Sequence, residues 1–403
     1  MKILILNSGS SSQKSCVYEI GEALPDSPPP PVWEGKIEWE GDDATLRVRG
    51  ADGQEGTENV KSAERAEASK RLLAALASGP HRILKDKSEI GVVGHRIVNG
   101  GAEYSQPTRI NADVKMSIGK MAAFAPLHNR IELEGIRLVE EILGAVPQVA
   151  VFDTAFHRRM ADAAAIYPGP YAWAERGIRR YGFHGINHHY CTERAAQLLR
   201  KKQSERRLVT CHLGNGCSLA AIREGYSVDT TMGFTPLEGL MMGTRSGSVD
   251  PGILTFLMRE QGLTGEQLDE LLNRKSGLLG ISGVSSDMRQ IVAAMKQGNP
   301  RAKLAFDIFV HRLRAGIAAM VASLGGIDAL VFTAGIGENS PEVRAASCVN
   351  LGFLGLELDA VKNQSSRGDE EISKQESKVH VLVLRAQEDW AIAKECWKRR
   401  GDP

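Results

Sequence analysis

Apolar runs of strand length recur along the chain, and glycine-rich or polar turns lie beside them. These runs are rich in Val, Ile and Leu and cover residues 3–6, 91–98, 149–152, 208–213, 218–222, 329–333 and 379–384. Between them, apolar residues recur at helical spacing in residues 131–143 and 306–324, and Gly325-Gly326 follows the second stripe as a C-cap signal. Strands that alternate with helices predict an α/β fold whose sheets are covered by helices.

Composition limits the function classes. The chain has 403 residues, which at roughly 150 residues per domain predicts two or three domains. Fifty Lys and Arg residues face 49 Asp and Glu residues, so no global basic surface predicts binding to nucleic acid or to an anionic membrane. The apolar run at residues 3–6 is too short for a signal peptide, and no run of 18 apolar residues occurs. We therefore expect a cytoplasmic protein.

The signature motifs of several common enzyme classes are absent. The sequence contains no GxxxxGK[ST], GxGxxG, HExxH or GxSxG segment, which disfavours a P-loop enzyme, a Rossmann dehydrogenase, a zincin and an α/β-hydrolase. The six cysteines form no CxxC pair, so a zinc site and a disulfide framework are disfavoured as well. Cys211 and Cys217 lie in an apolar segment and are predicted to be buried, reduced thiols.

Two segments share one pattern. Residues 4–12 and residues 210–218 each contain a strand that enters a turn of small residues, and an extended run resumes after each turn. Such turns offer successive backbone N–H groups, as anion-binding nests do, although Asn-Gly is also a common hairpin turn signal. We interpret the pair as two phosphate-binding hairpins in two related halves of the chain. Two unrelated hairpins remain the alternative.

Residues 334–339, with sequence AGIGEN, follow the strand at 329–333 and precede a helix start, in which Ser340 is the N-cap and Pro341 the first helical residue. A strand, a glycine turn and a helix N-terminus together allow the backbone to approach a nucleotide closely. The alternative is an ordinary tight turn between a strand and a helix.

Five ionisable residues stand in unusual settings. Arg96 and Arg245 lie among glycines and apolar residues, where a guanidinium is costly to bury without an anion. Asp153 and Glu388 follow apolar strands, at the positions where α/β folds bind ligands and metals. No cation is adjacent to Asp153 in sequence, so a divalent ion is expected there, while a turn cap is the alternative. His184 lies between glycines and aromatic residues. Three other histidines are interpreted as satisfied core residues, namely His157, His188 and His189.

Together these segments resemble the acetate kinase family in order and spacing, from residue 1 to about residue 390. The segments are residues 7–12 (NSGSSS), 94–96 (GHR), 125–129 (APLHN), 152–157 (FDTAFH), 181–185 (YGFHG), 212–218 (HLGNGCS), 232–245 with its TPLEG core, and 335–339 (GIGEN). Two departures concern the site: Asn99 replaces a usual His, and Ala386-Gln387 replace the usual Thr-Asn before Glu388.

The resemblance implies an α/β fold of two actin-like domains, that is, duplicated ribonuclease H-like domains with the nucleotide cleft between them. The first domain would contain residues 1–152 and the C-terminal helix 386–403, and the second would contain residues 153–385. The implied reaction is the reversible transfer of the ATP γ-phosphoryl group to acetate, which gives acetyl phosphate and ADP. Mg²⁺ would be the cofactor, with Mn²⁺ as a substitute, and the protein would be a homodimer. Propionate or another short-chain acid is the alternative substrate.

The resemblance also implies roles for individual residues. Catalytic groups would be Asp153, His184, Arg245 and Arg96, of which His184 and Arg245 would stabilise the transition state. The acid would contact Arg96, Val98, Leu127, Phe183 and Pro236. Asn7 and Glu388 would hold the metal together with Asp153. The nucleotide would contact Ser10, Ser12, Lys14, His212, Gly214, Asn215, Gly216, Asp287, Met288, Arg289, Gly335, Ile336, Gly337 and Asn339.

Two other function classes were weighed. A non-catalytic ATP-binding module is disfavoured because it has no carboxylate to hold and would not need both Arg96 and Arg245. A structural protein with glycine-rich turns does not explain why Asp153, His184 and Glu388 occur together.

Overall fold

The computed structural model describes residues 1–9, 12–41, 43–61, 65–121, 126–200, 202 and 206–401. The chain forms two compact units. The first unit contains Met1–Ala155 and Gln387–Pro403, and the second contains Phe156–Ala386. Each unit has a sheet of its own, covered by helices.

The sheet of the first unit has the strand order β5-β4-β3-β2-β1-β6-β8-β7 in the described part of the chain. Its strands are β1 (Lys2–Ser8), β2 (Ser12–Glu19), β3 (Trp33–Glu40), β4 (Asp43–Arg49), β5 (Glu55–Val60), β6 (Ile90–Ile97), β7 (Thr108–Arg109) and β8 (Gln148–Phe152). Strands β1, β6 and β8 are parallel to one another, whereas β2 to β5 form an antiparallel meander beside β1.

The sheet of the second unit has the order β11-β10-β9-β12-β14-β13 among the described residues. Its strands are β9 (Arg207–Leu213), β10 (Cys217–Arg223), β11 (Tyr226–Thr230), β12 (Ala329–Thr333), β13 (Glu370–Glu371) and β14 (His380–Val383). Here β9, β12 and β14 are parallel, β10 is antiparallel to β9, and β11 is antiparallel to β10.

The two sheets repeat one topology. The run β3-β2-β1-β6-β8 has the same sequence of antiparallel and parallel pairings as the run β11-β10-β9-β12-β14. The hairpins β1–β2 and β9–β10 hold equivalent places in the two runs. The interpretation of the two hairpins as parts of related halves is therefore confirmed at the level of strand order.

The helices of the first unit are α1 (Arg65–Ala74), α2 (Ala112–Met121), α3 (Pro126–Leu143) and α15 (Glu388–Lys398). Leu4 and Leu6 of β1 point to the face that α1 and α3 cover, where they share a core with Leu72 and Val139. On the opposite face α15 packs against β1 and β6. Gly94 permits this approach, because a Cβ atom there would lie 2.6 Å from side-chain atoms of α15.

The helices of the second unit are α4 (Asp162–Ala165), α5 (Ala172–Glu175), α6 (Gly185–Leu198), α7 (Pro251–Gln261), α8 (Gly265–Arg274), α9 (Gly277–Ser282), α10 (Met288–Lys296), α11 (Pro300–Leu324), α12 (Ala334–Asn339), α13 (Pro341–Cys348) and α14 (Ala360–Ser365). Helix α11 is the central one and packs on β10. It begins after Asn299, whose side chain accepts from two backbone N–H groups, and it ends at Gly325 with φ 68°.

Every apolar run that the sequence analysis assigned to a strand is a strand. The meander strands β3, β4 and β5 were not predicted, because charged residues alternate with buried ones and no continuous apolar run results. Trp33 and Ile37 on β3 and Leu46 on β4 are buried nevertheless. The cysteines are free and buried, which confirms the prediction for Cys211 and Cys217. None of the described helices combines the length and the apolar character that crossing a bilayer requires.

Candidate active site

The parallel strands of the first unit bring three predicted side chains to one edge of the sheet. Asn7 lies near the end of β1, Arg96 near the end of β6, and Asp153 directly after β8. The Arg96 Nη2 atom lies 2.5 Å from Asp153 Oδ2, and Arg96 Nη1 donates to Asn7 Oδ1 at 3.3 Å. Asp153 is 1% exposed. No cation is adjacent to Asp153 in the sequence, but in the structure Arg96 supplies one from the neighbouring strand.

The first turn of α15 adds two carboxylates to this edge. Asn7 Nδ2 donates to Asp389 Oδ1 at 3.2 Å and lies 3.5 Å from Glu388 Oε2. Burial raises the pKa of Asp389, and the hydrogen bond from Asn7 opposes this effect. Burial also lowers the pKa of Arg96, but the carboxylates of Asp153 and Glu388 outweigh it, so the net shift is upward. Asp389 was not singled out in the sequence analysis.

The backbone that follows Arg96 is fixed by buried side chains of α3. The N–H group of Val98 lies 3.1 Å and 3.2 Å from the two carboxyl oxygens of Glu132, and Asn129 Nδ2 donates to the Asn99 carbonyl oxygen at 3.0 Å. Glu132 is 2% exposed, and its burial raises the pKa of its carboxyl group to about 8. The sequence analysis missed Glu132. Its one signal is a carboxylate between Ile131 and Leu133 in an otherwise apolar stripe.

In the second unit, strands β9 and β10 are joined by a tip of three residues, 214–216. The Gly214 N–H group donates to the Gly216 carbonyl oxygen at 3.0 Å, and the Gly243 N–H group donates to the Asn215 carbonyl oxygen at the same distance. A Cβ atom on Gly243 would collide with the Asn215 side chain. The tip is therefore held from two sides, and the close approach of Asn215 leaves no room for a side chain at position 243.

His184 and Arg245 both approach Gly216. A Cβ atom on Gly216 would lie 3.3 Å from His184 Nε2 and 3.4 Å from Arg245 Nη1. His184 is the N-cap of α6 and has φ 56° and ψ 23°, a left-handed conformation that is uncommon for any residue except glycine. Its ring stacks on the ring of His212 at a centroid distance of 4.0 Å. The predicted pair of His184 and Arg245 thus lies at the hairpin tip.

The loop that carries Arg245 is fixed by contacts within the second unit. Arg245 Nη1 donates to the Pro236 carbonyl oxygen at 3.1 Å. Glu238, two residues after Pro236, accepts a 2.6 Å hydrogen bond from Arg180. Arg180 also donates to three backbone carbonyl oxygens of residues 230–232. Several hydrogen bonds therefore fix the loop that carries the Arg245 guanidinium.

A cavity of about 810 Å³ lies beside the hairpin tip, within the volume range of small-molecule sites. Eight of its lining residues were predicted to contact a nucleotide, and four were not: Ser286, Val292, Ser340 and Glu342. The predicted eight are Gly214, Asn215, Asp287, Met288, Arg289, Gly335, Ile336 and Asn339.

The floor of this cavity is formed where α10, α12 and α13 begin. Asp287 caps α10 and forms a 2.6 Å ion pair with Arg289. Gly335, Ile336 and Gly337 belong to the short helix α12, where the sequence predicted a turn. The start of α13 is as predicted, because Ser340 accepts from the Val343 N–H group.

The other predicted residues are placed as follows. Ser12 begins β2, and Lys14 is the β2 partner of Asn7 in the β1–β2 register. Phe183 is buried in the second unit, and Gly337 is buried in α12, where its carbonyl oxygen accepts from Arg344. Ser10 and the side chain of Leu127 lie outside the described part of the structure.

Of the three histidines interpreted as core residues, two are buried and hydrogen-bonded: His157 and His188. The interpretation is wrong for His189, whose side chain is 47% exposed on the outer face of α6.

The two α/β units share one strand order, and a glycine-tipped hairpin lies beside a cavity of nucleotide size. These are features of kinases with an actin-like fold. Residues 2–394 match the sequence model of the acetokinase family. The chain belongs to the acetokinase family.

Similar proteins are known over the full length of the chain. The acetate kinase of Gloeobacter violaceus is 56% identical over 402 residues and that of Nostoc punctiforme is 57% identical over 401 residues, with 99% of each chain covered in both alignments. The crystal structure of Porphyromonas gingivalis acetate kinase superimposes with a TM-score of 0.90 at 40% identity and covers 98% of this chain and 99% of its own. A propionate kinase from Francisella tularensis follows, with a TM-score of 0.89 at 36% identity and 98% of both chains covered.

Proposed function

We propose that the protein is a reversible phosphotransferase that moves the γ-phosphoryl group of ATP to the carboxylate of acetate, giving acetyl phosphate and ADP. The observation that carries this proposal is the approach of His184 and Arg245 to the glycine tip of the β9–β10 hairpin, beside a cavity lined by predicted nucleotide contacts. Full-length relatives at 54–57% identity carry the name acetate kinase, which supports acetate over propionate as the acid.

The chemistry that these residues must perform follows from charge. A carboxylate oxygen is already a nucleophile, so no general base is required, and the difficulty is to bring two anions together. Phosphoryl transfer has a loose in-line transition state, for which positioning and nearby positive charge supply most of the rate. Arg96 and Arg245 would hold the carboxylate and the phosphoryl group, and His184 would donate a hydrogen bond to the phosphoryl oxygens.

The first unit has a donor set that suits Mg²⁺. Among the described residues, no group of three or more His, Cys, Asp or Glu side chains is arranged to hold a metal ion by itself. Glu388 and Asp389 are nevertheless adjacent carboxylates beside Asn7, whose Nδ2 atom faces them while its Oδ1 atom accepts from Arg96. Burial leaves Asp389 with a raised pKa that a cation would lower. Mg²⁺ prefers oxygen ligands and keeps several waters, so it needs few protein ligands.

We assign the metal to Asn7 and Glu388, with Asp153 acting beside them. When bound, Mg²⁺ or Mn²⁺ would neutralise phosphate oxygens of the nucleotide. The chain itself would orient these ligands, because Arg96 holds both Asn7 and Asp153 in place. The same arrangement leaves Glu388 as the first residue of α15, where a carboxylate also stabilises the helix N-terminus.

The remaining predicted domains and residues are assigned to the two compact units. The first unit and the second unit would be the two actin-like domains, with Ser10, Ser12 and Lys14 of the first hairpin and Asn215 and Gly216 of the second as phosphate contacts. His212 and Gly214 would support the second hairpin. Val98, Leu127, Phe183 and Pro236 would contact the methyl group of the acid.

The second unit would also carry a dimer interface, and the protein would act in the cytoplasm. Helix α7 buries none of its residues within the chain, and three of its apolar side chains are about half exposed: Ile253 (47%), Phe256 (51%) and Met258 (49%). Exposed apolar side chains of this kind mark an association surface. Sedimentation should give the mass of a homodimer, and Phe256→Glu should give the monomer.

One assay tests the proposed reaction against its alternatives. The protein is incubated with ATP, Mg²⁺ and hydroxylamine together with acetate, propionate or butyrate, and the acyl hydroxamate formed is measured. We expect hydroxamate with acetate at the highest kcat/KM, and ATP formation from ADP and acetyl phosphate in the reverse direction. Preference for propionate would support the other acid. No hydroxamate from any acid, with nucleotide binding intact, would support a non-catalytic ATP-binding module.

A further inference from the structure

A line of buried hydrogen-bonding groups extends from His184 into the interior of the second unit. His184 Nδ1 lies 2.9 Å from Ser218 Oγ, and the same oxygen lies 2.8 Å from His188 Nε2. His188 Nδ1 lies 2.7 Å from Thr210 Oγ1. Ser218, His188 and Thr210 are each 0% exposed, so water does not compete for these bonds.

We propose that Thr210, His188 and Ser218 are positioning residues that fix the tautomer of His184, so that its Nε2 atom carries the proton presented to the transferring phosphoryl group. The inference rests on the proposed function for the identity of that group. The three residues do not touch the reacting atoms themselves. Their effect is transmitted through the hydroxyl of Ser218.

The number of protons in this line of groups limits its arrangements. A serine hydroxyl has one proton and two acceptor lone pairs, so Ser218 either donates to one imidazole nitrogen and accepts from the other, or accepts from both. Burial lowers the pKa of His188 well below its usual value, and the neutral ring has one donor and one acceptor nitrogen. The hydrogen bonds run toward His184 when Ser218 donates to its Nδ1 atom, and in every other arrangement His184 donates from Nδ1.

The two directions give opposite tautomers of a neutral His184. If the bonds run toward it, Thr210 donates to His188 Nδ1, His188 Nε2–H donates to Ser218, and Ser218 donates to His184 Nδ1. His184 then carries its proton on Nε2. If the bonds run away from it, His184 donates from Nδ1, and Nε2 presents a lone pair that would repel an anionic phosphoryl oxygen. Only the first direction fits a hydrogen bond to phosphate.

The surroundings of His184 hold Nε2 toward the hairpin tip. The charged or titratable groups around the ring are His212, which stacks on it, Arg245, which shares its approach to Gly216, and His188 behind Ser218. Asn187 donates to Nδ1 of His212 at 2.8 Å and so fixes the stacking partner as well. His157 lies against His188 at a ring distance of 5.7 Å. The ring is restrained at its face and at Nδ1, and its Nε2 atom lies close to Gly216 at the hairpin tip.

A second buried serine, Ser227, offers a closely matched control. Ser227 is also 0% exposed, and its hydroxyl lies 2.8 Å from Nδ1 of the buried His157. Ser227→Ala therefore removes the same group from the same kind of environment, outside the line that leads to His184. Ser218→Ala and Ser227→Ala should be compared with Ser218→Thr, which keeps the hydroxyl, and with Thr210→Val, which removes the far donor at nearly constant shape.

Two measurements decide the inference. Steady-state kinetics should show kcat for acetate lowered about 10- to 100-fold in Ser218→Ala, as for residues that orient catalytic groups, with the KM for ATP within twofold. Ser218→Thr should retain most of the activity, Thr210→Val should lose less than Ser218→Ala, and Ser227→Ala should be unchanged. The ¹⁵N signals of the His184 imidazole, assigned by their loss in His184→Gln, should report the Nε2–H tautomer in the wild type and a mixture in Ser218→Ala.

An Nδ1–H tautomer in the wild type would overturn the proposal. Equal loss of activity in Ser218→Ala and Ser227→Ala with an unchanged tautomer would also overturn it, because both serines would then be structural. The tautomer is measured without turnover. A wild type that lacks acetate-dependent activity would refute the proposed function. The ¹⁵N spectra would still decide in which direction the hydrogen bonds between Thr210 and His184 run.

Discussion

Arg96 and Asp153 form a 2.5 Å ion pair across two neighbouring parallel strands, at the edge of the sheet where Asn7 also lies. Asp153 is 1% exposed and the Arg96 side chain is 15% exposed, so the pair is largely shielded from water. A shielded carboxylate needs a cation, and the protein supplies that cation itself. The two residues should therefore behave as one unit, both in stability and in the site.

The contributions of Arg96 and Asp153 to the free energy of unfolding should be coupled. We expect Asp153→Asn to lower the free energy of unfolding by about 3–5 kcal/mol, because a charged Arg96 is left without its carboxylate. Arg96→Gln combined with Asp153→Asn should cost less than the sum of the single changes. Urea unfolding of the four proteins measures the coupling.

The same variants test the role of Asp153 in catalysis. Phosphoryl transfer in Asp153→Asn should fall by at least about 100-fold, and the Mg²⁺ concentration for half-maximal activity should rise. If Asp153 only capped the turn before Phe156, asparagine would serve almost as well. The wild type and Asp153→Asn would then show equal turnover and equal Mg²⁺ concentrations for half-maximal activity.

Arg245 should be essential for turnover but not for folding. Arg245→Ala should lower kcat by about 100- to 1,000-fold, because a fixed donor to the transferring group is lost. Lysine should rescue poorly, since it lacks the planar fork of guanidinium. Arg274→Ala, an exposed change on α8, serves as the control. A folded Arg245→Ala protein with near-normal kcat would contradict the assignment.

A side chain at Gly216 should disturb the groups at the hairpin tip. In Gly216→Ala the new methyl group would lie 3.3 Å from His184 and 3.4 Å from Arg245, so His184 must move by a few tenths of an ångström. We expect kcat to fall about 10-fold or more, because catalysis depends on placement to within about half an ångström. Gly265→Ala is the control, since a Cβ atom there meets nothing within 4 Å. Equal kcat values in both variants would show that His184 and Arg245 do not act at this tip.

Glu132 should make the protein less stable as the pH rises. Burial raises the pKa of its carboxyl group from 4.5 to about 8, so the folded protein keeps a proton that the unfolded chain releases. This contribution to stability is fully present below pH 4.5 and is lost as the pH rises through about 8. Glutamine keeps an acceptor for the Val98 N–H group but does not titrate.

The difference in unfolding free energy between Glu132→Gln and the wild type isolates this effect from all other groups. It should move in favour of the variant by up to about 5 kcal/mol as the pH rises from 4.5 to 8, and it should be constant above pH 9. A difference that does not change with pH would mean that Glu132 is charged throughout this range.

Val98 should set the size of the acid that is accepted. Val98→Ala removes two methyl groups and keeps the backbone hydrogen bond to Glu132, so the segment should stay in place. We expect kcat/KM for propionate relative to acetate to rise about 10-fold, the usual effect of one methylene in a pocket. Val92→Ala, at a buried position of β6, the strand that ends directly before Val98, should lower stability without changing this ratio. An unchanged ratio in Val98→Ala would exclude Val98 from the acid pocket.

Local patterns predicted much of the architecture. The start of α13 at Ser340-Pro341 and the end of α11 at Gly325 were predicted because caps depend only on neighbouring residues. The β3–β5 meander was missed, because half of each strand faces solvent and its charged residues hide the alternation. The turn predicted at residues 335–337 is a short helix, because glycine in a sequence does not distinguish a turn from a single helical turn.

The candidate site was predicted unevenly for a similar reason. Arg96, Arg245 and His184 stand out because their glycine and apolar neighbours are visible in the sequence. Glu132 and Ser218 do not stand out, since a carboxylate in a helix or a serine in a strand is ordinary until its partner is known. His188 and His189 are adjacent in sequence, yet one is buried and the other exposed, because successive residues of a helix face different directions.

The sequence by itself determined the apolar core strands, the two long helical stripes, the small-residue turns of the two hairpins and the family. These depend on the spacing of residues along the chain, which a sequence states directly. Only the tertiary structure decided which side chains meet. Arg96 reaches Asp153 from 57 residues away, and Asn7 reaches Asp389 from 382 residues away. Such pairs exist because parallel strands end at one edge of a sheet and a C-terminal helix packs against them, and that arrangement is set by long-range packing.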